Sequence, residues 1–420
     1  MPDTTIRPLI GPPSDLAGRS PVPPRPPGAG YGAVVSDVVV CGYAVRFPLA
    51  GMVLAFANYV AGLDRLGHRV VYLEESGWDQ SCYHPPTRGY GDDPTWGLDN
   101  LAATLTRLGC GDVPIGYVDR ASGASWGRPA RDRRAVLAGA DLLLNVGGVC
   151  QLDEFSACDR RVLVDLDPGF TQAGRFGGPT AIDHHAHFSY GTNIGRPGCL
   201  VPDDGVAWQP TVPPVIVDWW SDLPAPAAGA ALTTVANLDA YGEIEVGGRT
   251  WGQKRPEIDR LGDLPSRLTA ERGLRLEVAI SSGDEALTDE LIASGWEVGD
   301  GEAATGSLAD YRAYVAGSAA EFSVAKEAYV GLRTGWFSDR SACYLAAGRP
   351  VVVQDTGFVW PEGTTAPERG VLTWSTADEA AEAIGRVVDE PEANRAAARS
   401  VADEVFGHRP VLERLLARIP

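Results

Sequence analysis

The stretch from Ala320 to Phe358, AEFSVAKEAYVGLRTGWFSDRSACYLAAGRPVVVQDTGF, reads as strand, polar Gly-containing loop, helix and strand in close succession. That order constrains the fold more than any other feature, because it describes half of a nucleotide-binding α/β layer. Phe322, Val324 and Ala325 suggest a short strand, and the loop through Gly331, Arg333 and Gly335 ends on Ser338, a good N-cap. A helix follows over about Asp339 to Ala347, stops at Gly348, and hands over through Pro350 to a buried strand, Val351 to Gln354. Lys326, Arg333 and Arg340 surround the helix start. Unpaired N–H groups and the positive end of the dipole favour an anion there, and the cations add charge-assisted bonds.

The same alternation runs through the rest of the chain. DVVVCGYAV from Asp37 reads as a buried strand, Leu49 to Leu66 as an apolar-faced helix, and HRVVYLEES as a second strand. The helix Leu98 to Leu108 and the strands DLLLNVGG and RVLVDLDPG continue the series until HFSYGTNIG and WQPTVPPVIVDWW interrupt it. A second series starts with ALTTVANLD at Ala231, and Ser307 with Asp310, then Thr376 with Glu379, mark two helix starts. Short buried strands alternating with helices imply parallel sheets. The reading is therefore an α/β fold with two doubly wound, Rossmann-like domains facing a cleft. Residues 1-30 form a proline- and glycine-rich tail, 31-218 and 219-395 the two domains, and 396-420 closing helices, one of which is expected to cross back to the first domain. Ligands of such sheets bind at the carboxyl ends of the strands, so the site is expected in the cleft.

Composition bounds the partners. With 420 residues, 44% hydrophobic and 22% charged, the chain suits a globular enzyme of two domains. A formal charge of -19 argues against nucleic acid as partner, since phosphate neutralisation needs clustered Lys and Arg. The seven cysteines form no CxxC pair and read as buried thiols in a reducing compartment. No signal-peptide pattern and no long apolar run occurs, so a cytoplasmic location without membrane insertion is expected, and an oligomer is compatible with the sequence.

GWFSDRSACYLAAGRPVVVQDTGF resembles the donor-binding loop, helix and strand of the GT-B class of nucleotide-sugar-dependent glycosyltransferases, and is similar to a bacterial group of undefined acceptor. WGQK at Trp251 to Lys254 and the closing VFGHRPVLERLL fit that group, and the resemblance covers residues 35 to 420. It implies that the second domain holds a nucleotide diphosphate sugar and the first the acceptor. The aromatic and mildly polar residues of the first domain favour a small hydroxyl- or thiol-bearing acceptor, and the high Ala, Gly, Arg and Pro content a natural-product-like one. The resemblance also implies no cofactor and no metal, although Asp165-Leu166-Asp167 imitates a manganese-binding DxD. Where many retaining members carry two glutamates eight positions apart, this chain has Gly335 and Cys343.

For the donor diphosphate the candidates are Lys254, Lys326, Arg333, Gly335, Trp336, Ser338, Asp339 and Arg340. The alternative for the first three is a solvated loop charge, and for Trp336 a place in the core. Arg340 just inside a helix start opposes the dipole, which a bound anion would resolve. Asp339 is the candidate for the sugar or ribose contacts of the missing glutamates. The loop Gly42 to Met52 holds neither His nor Asp, which tilts the expectation toward a retaining mechanism. Should a protein base act, Asp165, Asp167 and His187 are the catalytic candidates. Arg46, Phe47, Gly51, Phe170, His184 and Tyr190 are assigned to the acceptor, with Tyr43, Trp78 and Tyr83 as further aromatic candidates. Glycines near the cleft, Gly177 and Gly178 among them, suggest close approach or movement, or plain turns. The rival readings are a nucleotide-sugar epimerase or hydrolase on the same double fold and a non-catalytic partner of a transferase.

Overall fold

The computed structural model describes residues 36–174, 183–203, 205–281 and 285–420. The tail and the pair Gly177 and Gly178 lie outside the described residues.

Two sheets organise the chain. The first has eight strands in the order Trp208–Pro210, Ala186–Ser189, Arg161–Asp165, Leu142–Val146, Asp37–Cys41, Arg69–Ser76, Ile115–Asp119 and Ser125–Trp126. All neighbours are parallel except the last pair, and Val38 stands opposite both Val70 and Leu142. The second has six strands, all parallel, ordered Glu297–Asp300, Leu276–Ile280, Leu232–Ala236, Ala320–Ser323, Val351–Gln354 and Val371–Trp374. Each sheet is doubly wound: strand order reverses beside Asp37–Cys41 in one lobe and beside Leu232–Ala236 in the other. At such a point the loops diverge to opposite faces and leave a crevice at the carboxyl ends.

The strands are near-continuous apolar runs because helices cover both faces. Val38, Val40, Leu142 and Leu144 pack with helix Ala50–Arg65 on one side, and Val39, Leu73, Leu143 and Phe155 pack on the other. The segments HFSYGTNIG and WQPTVPPVIVDWW do not interrupt the first sheet as expected. They add two parallel strands, Ala186–Ser189 and Trp208–Pro210, which were illegible because each is only three or four residues long.

The chain closes by returning to its first lobe. Helix His408–Leu416 lies on Ala50–Arg65, where a Cβ at Gly62 would sit 2.5 Å from Leu412. Val215 and Phe406 share a backbone bond of 2.7 Å, and Phe337 stacks on Phe406 at 4.6 Å. No helix among the described residues is long and apolar enough to cross a membrane.

Candidate functional site

The site forms where the two crevices face each other. Ser338 caps helix Asp339–Ala346, its Oγ accepting from Arg340 N at 3.2 Å. The loop before it is not plain coil: Glu327–Gly331 is a short helix that places Lys326 at its start and Tyr329 on its inner side. Gly335 adopts φ +78°, and a Cβ there would lie 2.6 Å from Asn193 N and 2.7 Å from Thr192 Oγ1. Only glycine lets the first lobe's loop come this close. Thr192 Oγ1 donates to Gly335 O at 2.9 Å and Asn193 Nδ2 to Arg333 O at 2.8 Å, so the lobes are joined through backbone at this rim.

Several expected phosphate ligands have other partners. The N–H of Gly335 donates to Thr356 O at 2.8 Å, and that of Trp336 to Thr334 Oγ1 at 3.2 Å. The Trp336 ring packs on Tyr329 with centroids 4.6 Å apart. Arg340 needs no bound anion: its guanidinium pairs with the fully buried Glu321 at 2.5 Å and also donates to Val235 O and Ser323 Oγ. The conflict with the helix dipole is resolved by that carboxylate, from a strand whose Glu was not singled out in the sequence. Arg333, at φ +50°, leans on Asp355 at 3.4 Å with half its side chain exposed.

Lys254 is different. It is only 8% exposed, and among the described residues no hydrogen bond or ion pair reaches its ammonium. Burial pushes its pKa well below the ordinary lysine value, and the nearby Arg340 and Lys326 push in the same direction, against Glu321 and Asp339. Asp339 stands at the helix start with Ser338 Oγ 3.5 Å away, its pKa raised by burial. Its charge is felt by Tyr43, Tyr59 and Tyr190 of the first lobe, whose own pKa values burial raises first of all. Tyr59 and Tyr190 meet hydroxyl to hydroxyl at 3.1 Å. Buried cations, a helix start and hydroxyls from the opposite lobe thus converge on one space.

The first lobe's candidates divide sharply. Asp165 is fully buried, and its two oxygens accept from Asp167 N, Thr171 Oγ1, Gln172 Nε2 and Ser189 Oγ at 2.6 to 3.0 Å. It is corrected from catalytic candidate to organiser of the turn 167–172, because every near lone pair is taken. Asp167 faces the cleft and pairs with Lys326 Nζ at 2.5 Å, and Tyr329 donates to the same oxygen. That attraction and those bonds hold its carboxyl below the ordinary range against the larger opposing effect of burial. His184 stands 3.3 Å from Asn145 Nδ2, and His187 packs edge-on to Trp208. Phe170 is fully buried between Tyr241 and Tyr329.

The loop after the first strand is fixed by a residue that sequence reading missed. Buried Glu74 accepts from Val45 N, Arg46 N and Tyr72 OH at 2.6 to 2.8 Å, and Arg46 pairs with it and lies 4.9 Å over Trp78. Arg46 is therefore directed to Glu74 and Trp78. Phe47 stacks on Tyr83 at 5.2 Å, and Tyr83 donates across the cleft to Glu302 at 2.5 Å. Trp78, Tyr90 and Trp96 are the exposed aromatics of this wall, with Asp79, Asp92 and Asp93 between them. Gly51 lies in the first turn of helix Ala50–Arg65 with open space beside it. No group of three or more His, Cys, Asp or Glu among the described residues has metal-holding geometry.

No family model and no curated protein matches the chain in sequence. Solved structures match its fold. An alpha-glucosyltransferase bound to UDP and a DNA 13-mer with an HMU base superposes with TM-score 0.59 at 9% identity, over 92% of this chain and 99% of that one. HepE of Anabaena in complex with UDP-glucose gives TM-score 0.54 at 10% identity, over 91% and 98%. A glycosyltransferase from Rickettsia africae gives 0.51 at 10%, over 91% and 97%. The shared feature is the two-lobed GT-B fold.

Proposed function

We propose that this chain is a glycosyltransferase that moves a sugar from a nucleotide diphosphate sugar to a hydroxyl or thiol of a small molecule. The observation that carries the reading is Lys254, a lysine more than nine-tenths buried and unpartnered among the described residues, beside the capped start of helix Asp339–Ala346. A buried ammonium without a counter-charge is costly, and a diphosphate supplies the missing charge. The helix N-terminus adds favourable dipole ends for the same group. Structures of the same fold that hold UDP or UDP-glucose support the nucleotide diphosphate as ligand class.

The reading extends to mechanism. Lys254 and the helix start stabilise the diphosphate as it leaves, which is the charge compensation a divalent ion would otherwise give, so the transfer is metal-independent. The loop after the first strand has no free base, its carboxylate neighbour Glu74 being enclosed by Tyr72, Arg46 and backbone amides. A retaining course, in which the leaving diphosphate takes the acceptor proton, fits that arrangement. The acceptor is a small molecule rather than nucleic acid, since exposed Asp79, Asp92 and Asp93 flank Trp78, Tyr90 and Trp96 in sequence and the chain carries a formal charge of -19, which repels a polyanion.

Calorimetry with UDP, GDP, ADP and TDP tests this. At least one is expected to bind, and Lys254→Ala is expected to weaken it by about 1 to 3 kcal/mol, as for a lost charge-assisted bond. Binding of none of the four, or identical affinity in the variant, overturns the reading.

A further inference from the structure

The ammonium of Lys326 sits in a cage. Phe170, Tyr241 and Tyr329 place their ring centroids 4.6, 4.2 and 5.0 Å from its nitrogen, and Phe170 meets the other two rings at 87° and 89°. The carboxylate of Asp167 closes the cage, and the Tyr241 hydroxyl bonds the same nitrogen. Phe170 and Asp167 come from the first lobe, and Lys326, Tyr241 and Tyr329 from the second. Aromatic faces and a carboxylate are a good seat for a cation. Yet the segments of Lys326 and Lys254 are joined, Glu327 N donating to Gln253 O at 2.8 Å and Ala328 N to Gly252 O at 3.2 Å, so a dianion placed on Lys254 lies within the reach of the Lys326 field.

We infer that Lys326 is a donor-operated switch: without nucleotide it ties Asp167 across the cleft, and with a diphosphate on Lys254 it turns to the phosphates and releases Asp167. This rests on the transferase reading above. Its ammonium ends a flexible four-carbon stem that can be redirected by rotation of the side chain. Before exchange the Lys326–Asp167 pair cancels both charges, and neither residue serves a substrate. After it, two lysines face the diphosphate, and Asp167, its backbone N–H held by Asp165 at 2.8 Å and one carboxylate oxygen by the Tyr329 hydroxyl, offers its other oxygen to a substrate hydroxyl. The donor therefore binds before the acceptor. Asp167 acts in donor binding as a competitor for Lys326.

A fixed strut and a switch make opposite predictions for one variant. Asp167→Asn removes the competitor, so nucleotide diphosphate affinity measured by calorimetry is expected to rise about 3- to 10-fold, the scale of one net polar interaction. Lys326→Met is expected to lower it by about 10-fold. Should Asp167→Asn fail to fold, Tyr241→Phe, which removes the other group bonded to the ammonium, is expected to tighten binding in the same direction. Unchanged or weaker affinity in a folded Asp167→Asn protein, or in Tyr241→Phe, makes Lys326 a strut and overturns the switch alone. Wild-type protein that binds none of UDP, GDP, ADP and TDP overturns the transferase reading, and the switch with it.

Discussion

Arg340 and Glu321 form an ion pair inside the second lobe, the guanidinium of a helix's first turn meeting a strand carboxylate at 2.5 Å. Glu321 is fully buried, and Arg340 also donates to Val235 O and Ser323 Oγ, so the pair ties the helix start to two neighbouring strands at the reversal of strand order. It fixes the frame in which Lys254 and Asp339 stand.

Breaking that pair from one side leaves a buried charge. Glu321→Gln or Arg340→Met is expected to cost about 3 to 5 kcal/mol of stability, while the double variant recovers part of it, because neither charge then remains unpaired. Urea unfolding of the three variants measures this. A double variant as unstable as the sum of the singles contradicts the pairing.

Gly335 is the steric key to the lobe contact. With φ +78° and under 3 Å of room for a Cβ, Gly335→Ala must either strain its own backbone or push back the loop of Thr192 and Asn193. A loss of about 1 to 3 kcal/mol is expected in thermal unfolding. Preserved stability would mean that the loop yields without cost.

Local signals in the sequence were the legible ones. Ser338 as cap, the Thr376–Glu379 box and the helix ends near Gly348 depend on residues within a turn of each other, and all are found. The alternation of strands and helices gave the doubly wound sheets for the same reason. What stayed hidden depends on distance along the chain. Glu321 balances Arg340 from a strand 19 positions away, Asp167 meets Lys326 across 159, and Glu74 fixes Arg46 from the next strand. The hairpin Cys82–His84 with Gly89–Gly91 is too short to show periodicity. Asp165 and Asp167 look alike in sequence, but Asp165 ends the strand and is enclosed by hydrogen bonds, whereas Asp167 lies in the turn beyond it and meets Lys326.

The aromatic wall separates binding from folding. Trp78 and Tyr90 are more than half exposed, so Trp78→Ala and Tyr90→Ala are expected to change stability by no more than about 0.5 kcal/mol. If this wall receives the acceptor, both variants raise its KM and leave nucleotide diphosphate affinity unchanged. Equal KM for wild type and variants, measured with any accepted substrate, removes the wall from the acceptor site.

Lys254 ties the nucleotide site to pH. Its folded pKa lies well below the unfolded value of about 10.4, so the folded protein binds fewer protons than the unfolded chain between those two values. Stability is therefore lowest at the acid side of that window and rises as pH climbs through it. A diphosphate reverses the sign locally: its negative charge favours the protonated amine, so binding draws a proton onto Lys254. Calorimetry in buffers of different ionisation enthalpy is expected to show net proton uptake on nucleotide binding that grows as pH rises into the window between the two values, and Lys254→Met is expected to abolish it. The same variant, freed of a buried amine that must give up its proton or its hydration on folding, is expected to be about 1 kcal/mol more stable without ligand. Nucleotide binding with no proton uptake in wild type would mean that Lys254 is already charged in the empty site, and that its counter-charge must be sought within the protein.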